Sequence, residues 1–260
     1  IVTAPEKEGL AAPTAEELLA IRDKVAAGEV AAYEDNVVKE PLIPEGTVLK
    51  GSPVKKTAED AELGTTEWML ANGAKVVVKH TDFKADEVRM SAVAKGGLSV
   101  LSDGEFYMGE MMPAVNSMSG VGKFPATELK KQLSGKTASV QPSVENYASA
   151  MKGVCSPKDI ETMLQLLYLN FTQPRFDRND YDNLIKMLRS QLENARTNPD
   201  YLMQEKVIDV TYGHNPRRQM ISNEIIDKFD FERLPAVYAK LYPGANGFGF
   251  TFVGNIDPET

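Results

Sequence analysis

The feature that most constrains this chain is that its apolar period changes twice. From Thr65 to Val154 the pattern is strand-like on either side of a mixed stretch over 98–135. From Ser156 to Leu241 apolar residues recur at helical spacing, and residues 247–254 return to alternation. The two periods put side chains on incompatible sets of faces, so the order of strands and helices is set before any tertiary contact is considered. In the first part, Thr66–Leu70 and Lys75–Lys79 flank Asn72-Gly73. Asn-Gly between two strand-like runs predicts a hairpin, because both residues tolerate positive φ. Val88, Met90 and Ala92 alternate with polar neighbours up to Gly96-Gly97, giving a third strand. Residues 137–140 and 147–154 are expected to add two more. Glu110–Asn116 and Ala126–Leu133 read as short helices, the second with Thr127 as a candidate cap.

The helical stretch opens at Ser156-Pro157-Lys158-Asp159, with Ser at the N-cap, Pro in the first turn and Asp near the positive end of the dipole. Ile160, Met163, Leu164, Leu167 and Phe171 follow, and Pro174 stops the helix. Tyr181, Leu184, Ile185, Leu188 and Leu192 mark a second helix. Pro199 opens a third, carrying Leu202, Val207 and Ile208, and Phe231–Leu241 forms a fourth. In the last strand Phe248, Phe250 and Phe252 share one face and read as core rather than as a stacking platform. This order predicts an α+β fold: a mostly antiparallel sheet backed by helices on one face.

Residues 1–64 read differently. Thr14 and Glu17 have the spacing of a capping box after Pro13, and the apolar stripe Leu18, Leu19, Ile21, Val25 ends at Gly28. Pro41, Pro44, Gly46, Gly51 and Pro53 then punctuate a stretch without period, expected to be an extended connector. The division expected is a connector with one helix over 1–64 and an α+β domain over 65–257. The chain starts Ile1-Val2-Thr3 and stops at Thr260, just past an apolar strand. Both ends read as cut from a longer protein.

The net charge is -8, and the basic pairs Lys55-Lys56, Lys130-Lys131 and Arg217-Arg218 are scattered. Phosphate backbones need clustered cations, so a nucleic-acid surface is excluded. No apolar stretch is long enough to span a bilayer. Cys155 stands alone and reads as a small buried hydrophobe. Two carboxylate groups, Glu59, Asp60 and Glu62, then Asp177, Asp180 and Asp182, are the residues a carboxylate-based hydrolase would have to use. Both read as helix starts on solvated faces. The two histidines, His80 and His214, lie far apart, and no H-x-x-x-H, H-E-x-x-H or H-x-x-E-H occurs. A hydrolytic zinc site needs about three ligands in fixed geometry, so no complete metal centre is readable.

Several segments, in order, resemble the pitrilysin/insulinase-type zinc metallopeptidase family. They are Trp68-x-Leu70-x-Asn72-Gly73-x-x-Val76, Val88 to Gly97, Ser156 to Arg175, Tyr212-Gly213-x-Asn215-Pro216-Arg217, and Phe252-Val253-Gly254-Asn255. The resemblance implies two homologous halves, each of two similar α+β domains, closing like a clam shell on a peptide. The catalytic half of the family carries H-x-x-E-H on a helix, with a later Glu completing the zinc site. The matching region here is Glu110-Met111-Met112-Pro113-Ala114. The later ligand position falls at Gln191, with Glu193 nearby on another helical face.

The resemblance therefore implies the first domain of the non-catalytic C-terminal half, with no catalytic or metal-binding residues of its own. Zinc is expected in the catalytic half of the parent. The expected partners are that half of the same polypeptide and a peptide substrate, in the periplasm or cell envelope. Arg217 and Arg218 are the candidate substrate contacts, for acidic groups of the peptide; surface ion pairs are the plainer reading. The alternative is a purely structural assembly subunit of the same family. Apolar docking surface left bare in an isolated domain is expected to promote self-association.

Overall fold

The computed structural model describes residues 13–28 and 40–258. The chain divides into two compact units, residues 1–36 and 37–260. The first unit holds helix α1 (Ala15–Ala27), whose capping box is formed: Thr14 Oγ1 accepts from the Glu17 backbone N–H, and Glu17 returns a bond to the Thr14 N–H. No residue of α1 is buried.

The second unit is built on one sheet. Among the described residues it has seven strands: β1 (Val54–Asp60), β2 (Thr65–Leu70), β3 (Lys75–His80), β4 (Val88–Lys95), β5 (Ala138–Val144), β6 (Ala148–Cys155) and β7 (Gly249–Gly254). Their spatial order is β1-β2-β3-β7-β4-β6-β5, antiparallel throughout except for the parallel pair β3 and β7. The β2–β3 hairpin turns at Gly73, whose φ of +91° suits a residue without a Cβ. The last strand enters the middle of the sheet, so Phe250 lies between Val76 and Ala92, and Phe252 between Val78 and Met90.

The helices of this unit are α2 (Phe106–Ser119), α3 (Ala126–Gln132), α4 (Ile160–Thr172), α5 (Arg178–Ala195), α6 (Pro199–Tyr212), α7 (Asn223–Ile226) and α8 (Leu234–Leu241). Burial shows which sheet face they cover. Val88, Met90 and Ala92 are buried while Val93 is exposed; Phe250 and Phe252 are buried while Val253 is exposed. The covered face packs on Met112 and Val115 of α2, Met163 and Leu167 of α4, and Val237 and Tyr238 of α8, in one core. The fold is thus α+β, with a mostly antiparallel sheet and its helix layer on one face.

Several local readings are corrected. The stretch read as a period-free connector contributes β1, which pairs with β2 from Val54 to Asp60. Every β1 side chain is exposed, so an edge strand held by backbone bonds alone left no apolar alternation to read. Leu42, 5% exposed, is also tied in, against Val121, Phe124, Leu166 and Leu169. Glu59 and Asp60 lie on β1 rather than at a helix start; Asp60 Oδ1 accepts from the Glu62 and Leu63 N–H groups and closes the turn. Asp177 is a helix start, its Oδ1 accepting from Asn179 and Asp180 at the head of α5.

Ser156 opens a 3-10 turn rather than capping α4 directly. Its hydroxyl donates to Asp159 at 2.6 Å, and Asp159 also accepts from the Thr137 N–H. Thr127 is inside α3, which starts after Pro125. α6 forms where Pro199 placed it but buries no residue.

Candidate functional site

α2 is the helix on which the resemblance would place a zinc motif. It arises from Phe106, Met108, Met112 and Val115, which bury one face against the sheet, and it runs through Pro113, which offers no N–H. Its segment 110–114 supplies one carboxylate, Glu110, where a paired-histidine site needs two nitrogens. Glu110 lies at the surface, yet packing around it raises its carboxyl above the ordinary range, and Arg218 pulls the other way. Gln191 and Glu193 on α5 add at most one charged oxygen.

His80 bonds the Ile256 carbonyl through Nδ1, and His214 bonds Asp209, so the fold does not bring the two imidazoles to a common site. Among the described residues no group of three His, Cys, Asp or Glu side chains is placed to hold a metal ion. The residues present do not fit zinc. Cys155 is 1% exposed, and burial, then the nearby Asp159, push its thiol up to about 11.

The loop after α6 carries the arginine pair. Gly213 and His214 both have left-handed backbone, at φ +57° and +59°, and they turn the chain back across the N-terminal end of α2. Arg217 is used there by the fold. Its guanidinium donates to Asp103 at 2.6 Å, to the Leu101 carbonyl at 2.6 Å and to the Leu98 carbonyl at 3.4 Å. It also lies over the Phe106 ring. The Tyr107 hydroxyl and the Gln219 backbone exchange two hydrogen bonds beside it. Arg218 points elsewhere, over Tyr212 and in the field of Glu110 and Tyr107. Both arginines border a polar hollow of about 160 Å³ with Asn146, Tyr147 and Asn215.

A larger, apolar groove of about 420 Å³ lies on the helix-bearing face of the sheet, lined by Trp68, Leu70, Val76, Leu164, Phe250 and Ile256. Neither hollow contains a nucleophile with an adjacent base. The chemistry they offer is binding: charge and hydrogen bonds in one, apolar contact in the other.

No family model matches the chain. A zinc protease PQQL-like protein of Arabidopsis thaliana is 23% identical over 232 residues, covering 88% of this chain and 21% of that protein. The crystal structure of the periplasmic protease PqqL from Escherichia coli superposes with a TM-score of 0.74 at 18% identity, covering 95% of this chain and 27% of that one. A peptidase M16 inactive domain from Pseudomonas fluorescens superposes with a TM-score of 0.61 at 17% identity, covering 76% of this chain and 48% of that one. The fold is that of the M16 peptidase domains. The resemblance read from the sequence, to pitrilysin/insulinase-type zinc metallopeptidases, is borne out by these likenesses, one of them to an inactive domain. The chain spans 21% and 19% of the length of the curated relatives it matches, about a fifth of either.

Proposed function

We propose that the chain is the first domain of the non-catalytic half of a clam-shell zinc metallopeptidase. In this reading it encloses peptide and docks against a catalytic half of the same polypeptide, which holds the zinc and cleaves the bond. One observation carries it: a peptidase-type fold in which α2, the zinc-motif helix of the resemblance, presents Glu110, Pro113 and Ala114 instead of ligands and base. Residues 1–64 serve as the link from the preceding domain, with 54–60 taken into the sheet. Arg218 is the better of the two arginine contacts for acidic groups on a peptide, because Arg217 is held by Asp103 and two carbonyls. The location proposed for the parent is the periplasm or cell envelope, in keeping with the Escherichia coli relative. Among the described residues no helix is long and apolar enough to cross a membrane.

The test is elemental zinc analysis with a peptidase assay, on this chain and on the full-length parent. Zinc and cleavage in the parent, and neither in the chain, are expected. Stoichiometric zinc with cleavage in the chain alone overturns the proposal. A parent with neither points to the assembly-subunit alternative.

A further inference from the structure

The sheet ends in two edge strands, β1 and β5, and the two edges differ. β5 carries Pro142, in register with Met151 of β6, and Pro142 has no N–H to offer a further strand. β1 contains no proline, and among the described residues nothing pairs with its outer side. All seven of its side chains are exposed. An open edge of this kind is a template for another strand, since its outward N–H and C=O groups are already aligned for a ladder.

The charge order along β1 narrows what that strand is. Lys55 and Lys56 stand at one end, Glu59 and Asp60 at the other. Lys55, Lys56 and Glu59 make no ion pair among the described residues. Asp60 uses Oδ1 to close its turn and leaves Oδ2 over. Edge lysines ordinarily repel a neighbouring strand. A second β1 running antiparallel instead brings the acidic end of one copy to the basic end of the other.

The register follows from symmetry. Opposed residues of antiparallel strands point to the same face, so in a symmetric pair of identical strands one residue faces its own copy. Lys56, Glu59 or Asp60 in that place would set like charges together. Thr57 there would draw in Lys55, where pairing with β2 is already irregular between Val54 and Lys56. Ala58 there keeps the contact to the regular residues 56–60. Lys56 of each copy then faces Asp60 of the other, and Thr57 faces Glu59.

We propose that β1 is the contact between two copies of this chain, paired antiparallel over residues 56–60 with Ala58 at the two-fold axis. The two sheets then form one continuous sheet. The contact is short, so the dimer is weak and depends on concentration. It stands apart from the peptidase reading.

The test uses the chain carrying Leu164→Asp, so that the apolar groove contributes nothing. Sedimentation over a concentration series is expected to show a monomer–dimer equilibrium. Thr57→Lys places a cation opposite Glu59 twice and should tighten the dimer about threefold to tenfold; Thr57→Glu should loosen it by as much. In a pair centred on Thr57, both substitutions would loosen it. Disulfide trapping with diamide checks the register. Ala58→Cys is expected to give a covalent dimer, read as intact mass without reductant. Thr57→Cys should not, because its two copies are displaced by about 7 Å along the strands. Cys155 is buried and takes no part. A monomer throughout the concentration series overturns the proposal. So does a dimer indifferent to the charge at position 57, or trapping of Thr57→Cys as fast as Ala58→Cys.

Discussion

Lys240 on α8 donates to both oxygens of Glu105, at 2.8 Å to Oε1 and 2.9 Å to Oε2. The same carboxylate accepts from Arg233, and from the backbone and hydroxyl of Ser102. Glu105 is 5% exposed and immediately precedes α2, so this contact ties the start of that helix to α8. The Lys240 bond is the largest reason that the Glu105 carboxyl is held at about 2, below its ordinary 4.5. A carboxylate whose folded pKa is depressed contributes stability that is present above the unfolded value and is lost as pH falls through the folded one. The unfolding midpoint is therefore expected to drop as pH falls from 4.5 toward 2. Lys240→Met should lose about 1–3 kcal/mol at neutral pH and flatten that drop. Denaturant titrations at a series of pH values measure both.

Gly97 combines positive φ with close approach. Its φ is +58°, and a Cβ there would lie 2.1 Å from the Glu145 carbonyl oxygen and 2.5 Å from the Ala148 nitrogen, both backbone atoms. Gly135, at φ +80°, has nothing within 4 Å. Gly135→Ala should cost about 1–2 kcal/mol, the strain of left-handed backbone alone. Gly97→Ala should cost more than about 2 kcal/mol, since backbone must also move. Thermal unfolding of the two variants side by side checks this; equal losses would show that the Gly97 contact relaxes freely.

Cys155 should resist alkylation in the folded protein. Only the thiolate attacks, and the thiol is both buried and pushed up to about 11, by burial first and the charge of Asp159 second. Native labelling with iodoacetamide at pH 8 is expected to be slow and to accelerate once denaturant exposes the residue. Mass spectrometry over time reads the difference, and rapid labelling of the native chain would contradict the burial.

The apolar groove beside α4 should make the isolated chain self-associate. Leu164 is 43% exposed on its wall, opposite Trp68 and Leu70. An uncovered apolar face of this kind favours association. Light scattering is expected to show a mass that rises with concentration, and Leu164→Asp to return it toward the monomer. A wild-type monomer at high concentration would count against the groove as the contact.

Elements with local causes were legible in the amino-acid order. Asn72-Gly73 specifies its hairpin within a few residues, and the spacing of Ile160, Met163 and Leu167 specifies the buried side of α4. β1 was hidden because it buries no side chain, and α7 because it has four residues. Asn116 and Asn170 left a trace in the sequence, each an amide within an apolar helix, but nothing local says that either is buried with an atom unpaired.

The sequence by itself determined the periods, the hairpin, the helix starts and the lack of a histidine pair, and with them the class of fold and the exclusion of a zinc motif. Only the tertiary structure decided that β7 inserts between β3 and β4, that Arg217 is taken up by Asp103 and the Leu98 and Leu101 carbonyls, and that Asn116 Nδ2 and Asn170 Oδ1 are buried without a hydrogen-bond partner among the described residues. The reason is range. Turn and helix signals act over a few bonds, whereas strand pairing between residues 75–80 and 249–254, and the burial of a polar atom, depend on which distant surfaces the whole core brings together.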